Sequence, residues 1–473
     1  MKAIVISLGM VWLLLLGACS IGDSDDEPAP TATTAPTEAA ADPTATEPDD
    51  EPAATATEAE EESAASATAT SRSTSTTEAS PTTTDDASPT RAGVDPDLIE
   101  EIEAIEARTV EVRGLELLGD VPITVIGREE LRQNLIDDLN ADFSPEEARE
   151  DANQLWLLRL IDDRDLDLYE FQIDLLSEQV LGYYDPEIDE MFIVSDAEGL
   201  SPLAEFTLSH ELVHSLQDQH FDIEQVRFYN QGDNDRDTAA VALLEGDAQV
   251  AQTQYLMEMN PLDLLALLGE LDGQSSAVVD SAPPYLREGL YFPYEAGLAF
   301  VQQIYTEGGF DAVNEAYANP PTSTEQIMHP EKFIDERDDP QQVEIFDLSP
   351  SLGDGWEQRD TDTLGEFDLS VMLRENGASD SSGAAAGWDG GRYAYFANDT
   401  SSLMTVAAVW DSPEDAVEFY DAMLETLDGP LEGDIGDAGQ GRFLGLRNVD
   451  GTVWFVTSTD RAVVEAALAA IGN

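Results

Sequence analysis

The spacing of apolar residues changes along the chain and predicts more than one kind of element. Leu98, Ile102 and Ile105 recur three or four positions apart, which predicts an amphipathic helix. The stretch from Val121 to Ile126 is typical of a short strand, and helical spacing returns after Gly127. The first folded segment therefore combines helices with a strand.

A hairpin is predicted just before the middle of the chain. A short strand in "EQVLGYYD" leads into a turn at Asp185-Pro186, and a second strand, "EMFIV", runs from Glu190 to Val194. Two long helical patterns follow, in "LAEFTLSHELVHSLQDQHF" and "DTAAVALLEGDAQVAQTQYLMEMN". The pattern then stays mainly helical to about residue 345.

The pattern changes again from about residue 348. Five stretches are typical of strands: "FDLSVMLREN", "GRYAYFAN", "SLMTVAAVWD", "GRFLGLRNVDG" and "TVWFVTSTD". Two helices are predicted among them, in "SPEDAVEFYDAMLETL" and "RAVVEAALAAIG". The predicted fold class is α+β, with a mainly helical domain and a small edge sheet at 93–347, followed by a small α+β domain at 348–473.

The first 19 residues have the composition of an export signal. One lysine precedes an apolar run from Ala3 to Leu16, which is too short for a spanning helix and is followed by small residues. Leu16-Gly17-Ala18-Cys19 resembles the lipobox of a bacterial lipoprotein, which implies cleavage before Cys19 and lipidation of its thiol. The resemblance implies an extracytoplasmic protein anchored to the cell membrane. An ordinary secretory signal with an incidental cysteine is the alternative.

Residues 20–92 are mostly Ala, Thr, Pro, Ser, Asp and Glu. Such a segment cannot bury enough apolar surface to offset its chain entropy, so we expect a disordered tether. The whole chain has a formal net charge of −78, and only 17 of its 99 acidic residues lie in the tether. Because the folded region is itself strongly acidic, its field repels polyanions, which argues against nucleic acid as a partner.

Three of the four histidines lie within "TLSHELVHSLQDQHFD". His210, Glu211 and His214 form an HExxH motif, in which positions i and i+4 share one helix face and both imidazoles can bind one metal ion. Glu211 lies about 100° around the helix from His210, close enough to hold a water on that metal without binding the metal itself. The alternative is a pair of structural histidines satisfied by hydrogen bonds.

A catalytic zinc takes three protein ligands and keeps an open position. The leading candidate for the third ligand is Glu245 in "VALLEGDAQ", because an unpaired carboxylate in an apolar helical stretch is costly and a metal would remove that cost. Asp247 is the nearest competitor, and Glu224 is a weaker one. His220 lies six residues beyond His214 and therefore points away from the metal-binding face, so a surface or structural role fits it better.

HELVH followed by Glu245-Gly246-Asp247-Ala248 resembles the gluzincin metallopeptidases, the thermolysin-like group. The resemblance implies a zincin-like domain with His210, His214 and Glu245 as Zn²⁺ ligands and Glu211 as the general base. This sequence departs from the group in one respect, since it has Gln249 where thermolysin-like enzymes often carry an Asp that orients a ligating histidine. The orienting residue is therefore open, with Asp218 and Asp247 as candidates.

Two further parts of a peptidase site have candidates. The strand "EMFIV" is similar to the edge strand that aligns an extended substrate in these enzymes, although an ordinary sheet strand is equally consistent with it. His329, in the Pro-rich "PPTSTEQIMHPEKF", is the leading candidate for a donor to the oxyanion, with Tyr291 and Tyr294 as rivals. The alternative for His329 is a structural role beside Pro330.

The function predicted from these residues is a membrane-anchored, extracytoplasmic zinc metallopeptidase. Its substrate would be a peptide or a protein, hydrolysed by a metal-activated water with Glu211 as the base. One alternative is a non-catalytic lipoprotein, a binding or adhesion module in which the metal is structural or absent. Another is a zinc hydrolase that acts on a different bond, such as a cell-wall amide.

Overall fold

The structure is a computed structural model, and the residues that it describes are 95–179, 182–194, 199–227, 232–271 and 276–471. The predicted signal peptide with Cys19 and the predicted tether at 20–92 lie outside the described residues. No helix in the described part of the chain has both the length and the apolar composition that crossing a bilayer requires.

Helices predominate up to residue 334. The elements there are, in order, α1 (Pro96–Arg113), β1 (Ile123–Ile126), α2 (Arg128–Asp142), α3 (Pro145–Leu157), α4 (Leu168–Gln179), β2 (Gly182–Asp185), β3 (Glu190–Val194), α5 (Pro202–Phe221), α6 (Ile223–Val226), α7 (Asn234–Glu258), α8 (Pro261–Leu271), α9 (Ala277–Ser281), α10 (Pro284–Ala318), α11 (Thr324–Met328) and α12 (Glu331–Ile334).

Strands and helices mix in the remaining part. The elements are α13 (Ser349–Leu352), β4 (Glu357–Thr363), α14 (Glu366–Glu375), α15 (Ser381–Ala385), β5 (Trp388–Ala397), β6 (Ser402–Trp410), α16 (Pro413–Glu425), β7 (Ile435–Asp437), β8 (Phe443–Val449), β9 (Thr452–Ser458) and α17 (Arg461–Ile471). The α+β fold class predicted from the sequence is therefore confirmed.

The first sheet has three strands in the order β1-β3-β2. β2 and β3 form the predicted antiparallel hairpin, with Tyr183 opposite Phe192, and β1 pairs with β3 in parallel. Of the two alternatives left open for "EMFIV", the structure has the ordinary sheet strand and not the edge strand, because this segment is β3 and β1 occupies its other side. The edge strand of the hairpin is β2, and it lies against α5.

The second sheet has six strands in the order β4-β5-β6-β9-β8-β7, and all neighbouring strands are antiparallel. Four of the five predicted strands are present, but "FDLSVMLREN" forms the helix α14. At the start of this segment apolar residues alternate with polar ones, and such alternation predicts a strand. The structure instead buries Leu369, Met372 and Leu373 on one helical face.

α3 packs against the second sheet. The Asn153 side-chain amide on α3 donates to the Tyr395 hydroxyl on β5 and to Ser402 Oγ on β6, at 2.9 and 3.2 Å. One hydrophobic cluster contains Leu155 of α3 together with Trp388 of β5. The described residues all fall in one compact unit. The two regions predicted on either side of residue 347 therefore share apolar core residues.

Two glycines allow α10 to cross α7 at very short range. A Cβ at Gly246 on α7 would lie 2.2 Å from the Gly297 carbonyl oxygen, and a Cβ at Gly297 would lie 2.3 Å from the Ala242 carbonyl oxygen. Both contacts are with backbone atoms, which cannot move aside as a flexible side chain does. The crossing lies immediately beside Glu245, so α10 constrains the helical turn that carries this residue.

We expect Gly297→Ala to lower the free energy of unfolding by about 1–3 kcal/mol or more, because the added methyl forces α7 and α10 apart. Gly289→Ala is the matched control, since it lies in the same helix and its added methyl meets no atom within 4 Å. The control should be neutral or stabilising by up to about 1 kcal/mol. Chemical denaturation measures the free energy of unfolding of both variants. Equal values for the two variants would contradict the close crossing.

The Asp151 carboxyl of α3 is buried by the contact with the second sheet. Burial raises its pKa from 3.8 to about 7, and the nearby charges of Asp360, Glu147 and Glu150 add to the effect. The folded protein thus keeps a proton on Asp151 at a pH where the unfolded chain has lost it. The contribution of the protonated Asp151 carboxyl to the free energy of unfolding is fully present below about pH 4. It is lost as the pH rises through about 7.

Asp151→Asn should remove this pH dependence. Between pH 5 and pH 8 the unfolding free energy of the wild type should fall relative to that of the variant by on the order of 2 kcal/mol. Denaturation of both proteins at the two pH values measures the difference. A constant difference between them would mean that Asp151 ionises normally in the folded protein.

Candidate metal centre

The HExxH motif lies in the middle of the buried helix α5. The helix begins after Ser201, whose side chain accepts a hydrogen bond from the Ala204 backbone N–H, and Pro202 occupies its first turn. His210 and His214 are 1% and 9% exposed. Their rings are edge to face, with centroids 4.7 Å apart. The helix therefore presents both imidazoles on one face, as the i and i+4 spacing predicts.

Glu245 reaches the two imidazoles from α7, which packs against α5. Glu245 Oε2 lies 3.1 Å from His210 Nε2 and 3.5 Å from His214 Nε2, and the two Nε2 atoms are 3.1 Å apart. Ligand bonds of about 2.0–2.1 Å in a tetrahedral zinc site place neighbouring ligand atoms about 3.4 Å from one another. The three side chains thus fit a single tetrahedral ion, and they form one of two groupings of side chains among the described residues that could hold a metal.

The other candidates for the third ligand lie elsewhere. Asp247 is fully buried, but its carboxylate pairs with Arg113, at 2.8 Å. Glu224 is exposed on α6. His220 lies near the end of α5, with its Nε2 2.8 Å from the Glu116 carbonyl oxygen. Glu245 is thus the candidate that the structure brings to the two imidazoles.

The protonation states of the three side chains follow from their burial and their mutual contacts. Burial lowers the pKa of His210, which favours the neutral imidazole that binds metals. Burial alone would raise the pKa of Glu245, but the two imidazoles outweigh it and lower that pKa. Burial opposes protonation of His214 as well, yet Glu245 raises the pKa of this histidine to about 9. The cluster without metal is therefore a buried ion pair.

Glu211 is held beside the cluster by the edge strand β2. Its Oε2 accepts a hydrogen bond of 3.1 Å from the Tyr184 backbone N–H, whereas its buried Oε1 has no hydrogen-bond partner among the described residues. Burial raises the pKa of this carboxyl to about 7. Glu211 thus has one oxygen fixed and one available to a bound molecule.

A small cleft opens beside two of the three candidate ligands, His214 and Glu245. It is lined by Tyr184, Pro186, Glu211, His214, Ile223, Val241, Leu244 and Glu245. The space open to the centre of a water molecule is about 20 Å³, which is enough for at least one water. One wall of the cleft is aliphatic, and the other carries the carboxylates and the imidazole.

The proposed oxyanion donors do not line this cleft. His329 Nε2 lies 2.9 Å from Glu366 Oε1, where the ring links α11 to α14. Tyr291 and Tyr294 are both on α10 and are likewise not among the residues that line the cleft. The structure therefore gives His329 a partner on α14 and does not place it in the lining of the cleft.

Sequence reasoning missed residues that support the cluster, Tyr184 and Gln217 among them. Tyr184 on β2 fixes Glu211, and Gln217 on α5 contacts His214 Nδ1 at 2.8 Å. The position of Gln217, three residues after His214 on the same helix face, was the available signal. Asp218 and Asp247 were the candidates for orienting a ligating histidine. Asp218 instead accepts a hydrogen bond from the Tyr184 hydroxyl, and Asp247 accepts one from the Gln217 side chain.

Comparisons with known proteins found similarity over part of the chain. Residues 352–470 match the model of a family described as a domain of unknown function (DUF8575), and this stretch contains none of the candidate ligands. No curated protein matches the chain. A solved structure from Chloroflexus aurantiacus, provisionally described as a hydrolase with a novel fold, is similar at 17% identity and a TM-score of 0.35. This similarity covers 52% of the present chain and 91% of the solved one.

Proposed function

We propose that this protein is a zinc-dependent metallopeptidase of the gluzincin type, anchored outside the cytoplasm through a lipid on Cys19. The observation that supports the proposal most is the convergence of His210, His214 and Glu245, with ligand atoms 3.1–3.5 Å apart, beside a cleft that Glu211 also lines. Two nitrogens and one carboxylate oxygen are the donor set of catalytic zinc in this class. The substrate class that we propose is an extracytoplasmic peptide or protein.

Each polar residue of the cleft has a separate task in this proposal. His210, His214 and Glu245 would hold the ion, and bound zinc supplies a Lewis acid that lowers the pKa of a water and polarises a carbonyl. Glu211 Oε1 would accept the proton of the attacking water and later donate it to the leaving amine. A pKa of about 7 suits this exchange, because a group that titrates near the working pH can both take and release a proton.

The backbone of β2 positions the base. Because the Tyr184 N–H holds Glu211 Oε2, rotation of the carboxylate is restricted and Oε1 remains available for the water. The aliphatic wall formed by Ile223, Val241 and Leu244 keeps the base in a poorly hydrated place, where its charge interacts more strongly with a reacting group.

A non-catalytic metal module is the main alternative. A structural zinc has four protein ligands and no open position. Among the described residues, His210, His214 and Glu245 form a three-residue group whose ligand atoms could hold one ion, and two of them, His214 and Glu245, line the cleft. A three-residue ligand set beside a water-sized space favours catalysis over a structural role.

Zinc binding tests the ligand set. The purified protein should bind about one zinc ion per chain, and Glu245→Ala should weaken binding by about 100-fold or more, since it removes one of three ligands. Glu224→Ala, which changes an exposed glutamate on α6, should bind zinc as the wild type does. Equilibrium dialysis with metal analysis measures all three proteins. Unchanged zinc affinity in Glu245→Ala would exclude this residue as a ligand.

The role of Glu211 is tested by Glu211→Gln, which keeps the shape of the side chain and removes the base. The variant should keep its zinc but hydrolyse casein, an unstructured protein, about 100- to 10,000-fold more slowly. Glu224→Gln is the matched control and should retain full activity. Normal hydrolysis by Glu211→Gln would contradict the mechanism, and a zinc-loaded wild type inactive on casein would contradict the peptidase proposal.

A further inference from the structure

A buried glutamine lies directly behind His214. Gln217 is fully buried, and its Oε1 lies 2.8 Å from His214 Nδ1, the ring nitrogen that faces away from Glu245. A metal-binding histidine nearly always donates its second N–H to an acceptor, and this acceptor fixes the ring orientation and the tautomer. In this chain the acceptor at His214 is a neutral amide.

The orientation of the Gln217 amide is determined by its other contacts. Its Nε2 donates to the Leu244 carbonyl oxygen and to Asp247 Oδ2, both at 2.9 Å. Neither atom can donate a hydrogen bond, so rotating the amide by 180° would place its oxygen against two acceptors. Gln217 Oε1 must therefore face His214 and accept from the Nδ1–H, so His214 Nε2 is the nitrogen that faces the candidate metal position.

Asp247 is in turn fixed by residues from two other helices. Arg113 of α1 pairs with it through Nε at 2.8 Å and through Nη2 at 3.0 Å, and the Tyr317 hydroxyl of α10 donates to it at 2.8 Å. Arg113 and Asp247 are both fully buried. The charge of Asp247 is therefore balanced by Arg113, and Gln217 separates this ion pair from the imidazole.

We infer that Gln217 is a positioning residue for the metal centre, which fixes the orientation and the tautomer of His214 and is itself oriented by the buried Arg113–Asp247 pair. The inference rests on the proposed function, since it requires the ion that His214 would bind. It assigns Asp247 an indirect role through Gln217, instead of the direct contact with a histidine that the sequence allowed.

Zinc affinity tests the inference. Gln217→Leu keeps most of the side-chain volume and removes the hydrogen bonds, so zinc binding should weaken by about 10- to 100-fold. Gln172→Leu makes the same change at a buried position on α4 and should leave zinc affinity unchanged. Competition with a chromophoric chelator measures both variants. If Gln217→Leu binds zinc as tightly as Gln172→Leu while the wild type binds one ion, the positioning role is wrong and the metal centre stands.

A second variant covers the case in which Gln217→Leu does not fold. Gln217→Glu has the same size but cannot donate to Leu244 and Asp247 once ionised, so at neutral pH it should also lose zinc affinity by about 10-fold or more. Wild-type affinity in Gln217→Glu would show that the two donated hydrogen bonds are not needed.

The tautomer can be observed directly in the zinc-loaded wild type. The chain has only four histidines, so nitrogen-15 labelling of histidine gives a spectrum in which each ring can be assigned. We expect the His214 proton on Nδ1 and the metal on Nε2. A proton on Nε2 would overturn the inference while leaving zinc binding intact, whereas a wild type that binds no zinc would overturn both this inference and the proposed function.

Discussion

Two imidazoles and a carboxylate meet in the interior of this protein, and the packing of α5 against α7 depends on how that polar cluster is satisfied. Burying any one of these groups without a partner would cost free energy. Together, His210, His214 and Glu245 lie within 3.5 Å of one another and compensate each other's burial. Their spacing also matches the ligand separations of a tetrahedral ion, so the arrangement that satisfies the cluster is also suited to binding a metal.

The rest of the helical region restricts movement of this cluster. The Gly246–Gly297 crossing holds the turn of α7 that carries Glu245, because any side chain there would collide with backbone. The buried Arg113–Asp247 pair ties α1 to α7, and Gln217 extends that contact to His214. Metal sites need ligands held within a fraction of an ångström, and these contacts supply such rigidity without a disulfide among the described residues.

The sequence predicted the local features well and the long-range ones poorly. Patterns of a few residues predict the local features, which are HExxH, the β2–β3 hairpin and the isolated Glu245. The structure has each of them at the predicted position in the chain. The sequence left the position of β3 in the sheet open, because its partner β1 lies more than sixty residues earlier. It predicts a strand where α14 forms, because the alternating apolar residues of this segment imitate a strand. His329 was a candidate because an oxyanion needs a histidine or tyrosine donor and this residue lies in a Pro-rich segment, whereas its partner in the structure is Glu366.

Catalysis by this protein would depend on a single ion with an open position at the α5–α7 contact. The most direct measurement is anomalous scattering at the zinc absorption edge from crystals grown with zinc. We expect one strong peak about 2.1 Å from His210 Nε2, His214 Nε2 and a Glu245 oxygen, with a water as the remaining ligand next to Glu211. A peak with four protein ligands, or no peak between these three side chains, would contradict the account.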